Sequence, residues 1–80
     1  MKLPRDWTGA DLVQRLSVLG YAVTRQSGSH IRLTTSVHGE HHVTVPAHNP
    51  LKIGTLSSIL REVGEHHALS REALLRRLVP

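Results

Sequence analysis

The chain has 80 residues, which limits it to one domain, and a chain of that size buries only about 60% of its unfolded surface. Ten Lys and Arg stand against six Asp and Glu, with seven His besides, for a formal net charge of +4. This excess points either to an anionic partner or to a surface that is simply basic. The absence of cysteine excludes disulfide stapling and thiolate metal sites. No apolar run approaches the roughly 20 residues a membrane span needs. Met1-Lys2-Leu3-Pro4-Arg5-Asp6 has no apolar segment behind its basic residues, so no secretory signal is expected. A cytoplasmic protein that does not engage a membrane is the expectation.

The predicted elements begin with a helix over about 8–19. Thr8 is its N-cap, and Asp11 faces the free amides of the first turn. Trp7 and Leu12 are spaced as a hydrophobic staple. Leu12, Leu16 and Leu19 form a stripe that Val13 widens, and Gly20 supplies the left-handed end. Three short strands follow: Tyr21 to Gln26, Ser29 to Thr35 and His41 to Val45. Ser27-Gly28 and Val37-His38-Gly39-Glu40 are the predicted turns, and Pro46 closes the third strand. Residues 47–54 form a loop with Asn49-Pro50 as a turn signal. Thr55 is expected to cap a second helix carrying Leu56, Ile59, Leu60 and Val63, with Gly64 ending it. A third helix starts at Ser70, stapled by Leu69 to Leu74, with Leu75 and Leu78 on its apolar side. Arg76 and Arg77 sit where cations favour the helix dipole.

The order is α-β-β-β-α-α, an α+β fold with a three-stranded antiparallel meander. One sheet face must bury Ile31, Leu33, Val43 and Val45 beneath the first two helices. The two-residue period of a strand then sends His30, Arg32 and Thr34 to the opposite face, with His42 and Thr44 beside them.

That face holds the candidate chemistry. RNA cleavage needs a base for the 2′-OH proton and positive charge for the phosphate. An unperturbed imidazole titrates near pH 6.5, close to the working range. Arginine supplies the phosphate contact. His30 follows a glycine turn, with Arg32 on its face and Arg25 on the preceding strand. Gly28 lets a phosphate approach the backbone closely. On the residues alone, a strand histidine near a turn is more often an ordinary surface or packed residue. His48 is the second candidate, for positioning substrate or sharing proton transfer, against a loop residue bonding local backbone. His41-His42 and His66-His67 are adjacent pairs, and neighbours on a strand point apart. His66-His67 is expected in the exposed connection between helices. His38 with His41 or His48 matches no zinc-ligand spacing. Ser29 and His30 diverge on a strand, which disfavours a serine nucleophile. There is no glycine-rich phosphate loop. One Trp, one Tyr and no Phe leave the sheet without stacking aromatics.

The helix ending at Gly20 before Tyr21, the run Arg25-Gln26-Ser27-Gly28-Ser29-His30, then Val43-Thr44-Val45-Pro46 with His48, then Ile53-Gly54-Thr55-Leu56 and Ile59-Leu60 together resemble the HicA family of toxins. The resemblance spans roughly residues 8–64. It implies a fold like the double-stranded RNA-binding domain, with two helices on a three-stranded sheet. It implies a ribosome-independent endoribonuclease, an mRNA interferase, that needs no metal or other cofactor. It also implies a HicB-type antitoxin as protein partner. The family's catalytic histidine corresponds to His30, and Arg25, Ser29, Arg32 and Lys52 become expected RNA contacts. A non-catalytic RNA-binding module and a protein-interaction domain are the competing readings. The third helix extends past this match and is expected to pack on the domain or to contribute to the partner interface.

Overall fold

A computed structural model of the chain describes residues 3–79; Met1, Lys2 and Pro80 lie outside the described residues. Its elements are α1 (Gly9–Leu16) with a 3-10 turn (Ser17–Leu19), β1 (Ala22–Ser27), β2 (His30–Thr35), β3 (His41–Pro46), α2 (Ile53–His67) and α3 (Arg71–Leu78). This is the α+β order expected. No helix among the described residues is long and apolar enough to cross a membrane.

Helix α1 starts where local chemistry dictates. The Thr8 hydroxyl accepts from the Asp11 amide at 3.0 Å, and the Asp11 carboxylate accepts from the Thr8 amide at 2.9 Å. This reciprocal pair satisfies two otherwise orphaned donors. Those bonds hold the Asp11 carboxyl below its ordinary pKa. Trp7 and Leu12 are both buried, as a staple requires, and the Arg15 guanidinium lies 4.3 Å from the Trp7 ring centroid. The predicted single helix tightens into its 3-10 turn before Gly20, which takes φ +84°.

The sheet has strand order β1-β2-β3, all antiparallel. Ile31, Leu33, Val43 and Val45 are buried on the face that α1 and α2 cover. Thr35 shares that face, and its hydroxyl donates to the Leu19 carbonyl at 2.9 Å. β1 is exposed along its whole length, and a bulge at Thr24 shifts its register between Val23 and Arg25. Such a bulge twists an open edge away from unwanted pairing.

Three local readings are corrected. The β1–β2 turn is Gly28-Ser29, not Ser27-Gly28, because Ser27 pairs with His30. Of the two loop residues only Gly28 has positive φ, +57°, so the glycine sits at the first loop position, as a type II′ turn requires. Thr55 does not cap α2. The N-cap is Lys52, whose side chain makes no capping bond, and the helix is entered directly from the loop. Gly64 does not end α2 either. A Cβ there would meet the Leu69 carbonyl oxygen at 2.9 Å, so glycine permits close approach of the chain leading into α3. The helix continues to His67, and Ala68 turns the chain at φ +55°.

Helix α3 packs on the rest of the fold, the first of the two expectations for it. Ser70 caps it through the Ala73 amide, and Leu74, Leu75 and Leu78 are buried. Arg15 donates to the Leu78 carbonyl at 2.9 Å, linking α1 to the end of α3.

Candidate functional site

Strand parity and register bring the candidate residues onto the uncovered face of the sheet. In β2, His30, Arg32 and Thr34 alternate with the buried Ile31, Leu33 and Thr35. His30 is opposite Ser27 of β1 and Pro46 of β3. Arg32 is opposite Arg25 and Thr44. Residues directly opposed across an antiparallel pair have Cα atoms about 4.5–5.5 Å apart, and alternate residues along a strand are about 6.6 Å apart. His30, Arg25 and Arg32 therefore share one small patch.

Its electrostatics are one-sided. Like charges directly opposed on a sheet repel and destabilise it. Arg25 and Arg32 are nevertheless so opposed, and among the described residues no carboxylate pairs with either. Among the same residues, neither nitrogen of the exposed His30 ring has a hydrogen-bond partner. A Cβ on Gly28 would meet nothing within 4 Å, so the space above the turn is open.

Ser29 and His48 come to this same end of the sheet. The Ala47 amide donates to the Ser29 carbonyl at 2.6 Å, and the Gly9 amide donates to the His48 carbonyl at 2.9 Å. The loop after β3 is thereby pinned between the β1–β2 turn and the start of α1, with His48 exposed. Lys52 is exposed at the N-cap of α2, off the sheet.

The far half of the same face has different chemistry. Thr24 Oγ1 lies 2.9 Å from Thr34 Oγ1, Thr34 Oγ1 lies 2.7 Å from His42 Nδ1, and His42 Nε2 lies 2.9 Å from Glu40 Oε2. Both His42 nitrogens are engaged and a carboxylate is present. Sequence reasoning located His42 and Thr34 on this face but not the network. Its nearest signal is Glu40 two residues before His42.

A second polar cluster escaped sequence reasoning altogether. His66 and His67 are not in an exposed connection; they form the last turn of α2, and His67 is only 7% exposed. The Tyr21 hydroxyl lies 2.8 Å from His41 Nδ1 and 3.1 Å from His67 Nε2. His41 stacks on His66 at 4.4 Å, and His66 Nε2 donates to the carbonyls of Val37 and Gly39, each at 3.0 Å. Burial pushes the Tyr21 hydroxyl up to about 12, with Glu62 adding to the shift. Burial, reinforced by neighbouring imidazoles, lowers the pKa of His41 and His67. His38, His41, His66 and His67 gather here, yet among the described residues no three His, Asp or Glu side chains are placed to hold a metal ion.

Residues 9–65 match the family model described as the HicA toxin of bacterial toxin–antitoxin systems. No curated protein and no solved structure matches the chain.

Proposed function

The chain belongs to the HicA toxin family, and from that premise we propose that this toxin is a ribosome-independent endoribonuclease that cleaves mRNA with His30 as its catalytic residue. The observation that carries this reading is the opposed, unneutralised Arg25–Arg32 pair beside a histidine whose ring nitrogens have no partner among the described residues. A phosphodiester relieves the repulsion between the two guanidinium groups, each suited to phosphate oxygens.

The chemistry follows from the groups present. The ribose 2′-oxygen attacks the adjacent phosphorus as its proton leaves to a base. The bond from phosphorus to the 5′-oxygen breaks, and that oxygen takes up a proton. His30 serves as base or acid in this exchange. His48, on the loop pinned to the Ser29 carbonyl, is the candidate for sharing the proton transfer. Arg25 and Arg32 balance the charge that builds on the phosphoryl oxygens. Ser29 and Lys52 add contacts to the RNA backbone. The double-stranded RNA-binding-domain-like layering that the resemblance implies accords with helices on one sheet face and an open polar face on the other. No metal or other cofactor enters the mechanism, and the site of action is the cytoplasm.

The protein partner is a HicB-type antitoxin. It inhibits by covering the face that holds His30, Arg32 and Thr34. The test is induction of the wild type and of His30→Ala at equal expression, with and without the antitoxin. Growth arrest and RNA cleavage are expected for the wild type alone, with relief by the antitoxin. Retained toxicity in His30→Ala overturns the assignment. Binding of RNA with steep salt dependence and no cleavage by the wild type identifies a non-catalytic RNA-binding module instead.

A further inference from the structure

The end of the fold opposite the Gly28-Ser29 turn holds a cavity of about 140 Å³ lined by Val18, Leu19, Val37, His38, His67, Leu69 and Arg77. β2 runs from His30 to Thr35, so this end lies about 17 Å from the candidate catalytic histidine at roughly 3.3 Å per residue. Three features of the wall call for an anion. His67 is 7% exposed, and its Nδ1 is buried with no hydrogen-bond partner. Arg77, unlike Arg76, has no carboxylate partner among the described residues. The β2–β3 turn holds His38 at φ +59°, and its ring lies edge-on 5.7 Å from that of His67. The remaining lining is apolar.

We propose that this cavity binds a carboxylate on a short apolar stem, supplied by a small organic acid or by an acidic side chain of a protein partner. The carboxylate accepts from the Arg77 guanidinium and, once the wall opens enough to uncover it, from the buried His67 Nδ1–H, with His38 at the rim. The stem lies against Val18, Val37 and Leu69. The cavity is far smaller than the roughly 300–1,000 Å³ of drug-sized pockets, which restricts the ligand to a few heavy atoms.

The hydrogen-bond chain behind the wall makes His67 responsive. The Tyr21 hydroxyl has one proton and sits between two ring nitrogens. When Tyr21 donates to His67 Nε2, the His67 proton resides on Nδ1, and His41 donates to the tyrosine oxygen. An anion in the cavity selects that arrangement for the neutral ring; in the doubly protonated ring, which the anion also favours, Nε2–H donates to the tyrosine oxygen and Tyr21 donates to His41 Nδ1. His67 faces His66 on its own helix, His38 from the turn, His41 and Tyr21 from the sheet side, and Arg77 from α3. Glu62, the acid acting on this cluster, bears on Tyr21 and His41. Burial and the surrounding positive groups lower the His67 pKa, so carboxylate binding draws in a proton and tightens as pH falls.

The experiment is a titration of the full chain with propionate, followed by the imidazole NMR signals of His38 and His67 at two pH values. Saturable shifts are expected, with a Kd of about 1 mM or tighter, a tighter Kd at the lower pH, and at least a tenfold weakening in Arg77→Gln. His38→Gln provides a second exposed variant should His67→Gln fail to fold. Propanol and inorganic phosphate are the controls, expected to bind at least tenfold more weakly. A glutamate residue blocked at both ends separates the sources. Saturation by propionate alone assigns a free acid, and saturation by both extends the site to a partner's side chain. Absence of saturable shifts, shifts unchanged in Arg77→Gln, or equal binding of phosphate overturns the proposal. None of these readouts depends on RNA cleavage.

Discussion

Replacing Gly9 with alanine sets helix propensity against packing, and the structure decides the sign. Gly9 is the first residue of α1, where alanine is favoured over glycine by up to about 1 kcal/mol. Gly9 is also buried, and its amide donates to the His48 carbonyl. A Cβ at this position collides with the Pro46 carbonyl oxygen and comes within 3.0 Å of Ala47 Cα. Both neighbours are backbone, so no rotamer change relieves the contact. Overpacking of this kind costs about 1–3 kcal/mol, and displacing the loop adds about 1 kcal/mol for the hydrogen bond to His48. After subtracting the gain in propensity, a net loss of about 2 kcal/mol remains. For a domain of this size that lowers Tm by about 8–16 °C. The assay is urea and thermal unfolding of Gly9→Ala beside Gly54→Ala. Gly54 occupies the first turn of α2 with nothing near its absent Cβ, so its variant should be neutral or slightly stabilised. Because Ala47 also bonds to the Ser29 carbonyl, RNA cleavage by Gly9→Ala should fall even where the variant is folded. Equal stabilisation of both variants would refute the reasoning.

Leu78→Ala should lose about 2–5 kcal/mol, since the side chain is 2% exposed between α3 and the rest of the core; equilibrium unfolding measures it. Arg25→Gln and Arg32→Gln should each reduce the slope of log affinity against log salt by about 0.7 for single-stranded RNA, with little change in stability; a slope that stays fixed removes these arginines from the phosphate contacts. His41 and His67 have folded-state pKa values below the ordinary 6.5, so the unfolded chain binds more protons beneath that pH. Their contribution to stability is therefore full above about pH 6.5 and is lost as the pH falls from there toward the folded-state values. Urea midpoints across that range should drop with acidification, and His67→Gln should flatten the drop.

Short-range features were legible in the chain alone. The capping box at Thr8 and Asp11, the left-handed Gly20 and the Ser70 cap depend on residues three or four apart, and all three are observed. Strand parity is equally local, which is why His30, Arg32 and Thr34 emerge on the open face. Errors arose where a distant contact overrode local preference. Gly64 reads as a helix end, yet it admits the Leu69 carbonyl and the helix runs on to His67. Lys52, with no capping side chain, replaced Thr55 as N-cap because the loop before α2 is anchored by the Leu51 amide to the Trp7 carbonyl. The histidine cluster had no local signal, since Tyr21 and His67 are separated by 46 positions.

Sequence alone thus determined the order of the elements, the buried and open faces of the sheet, and the family to which the chain belongs. Tertiary structure decided that Arg25 stands opposite Arg32, because the bulge at Thr24 sets that register. It also decided that α2 closes with His67 against Tyr21 and His66 against His41, because the hydroxyl that partners the buried His67 Nε2 comes from 46 positions away.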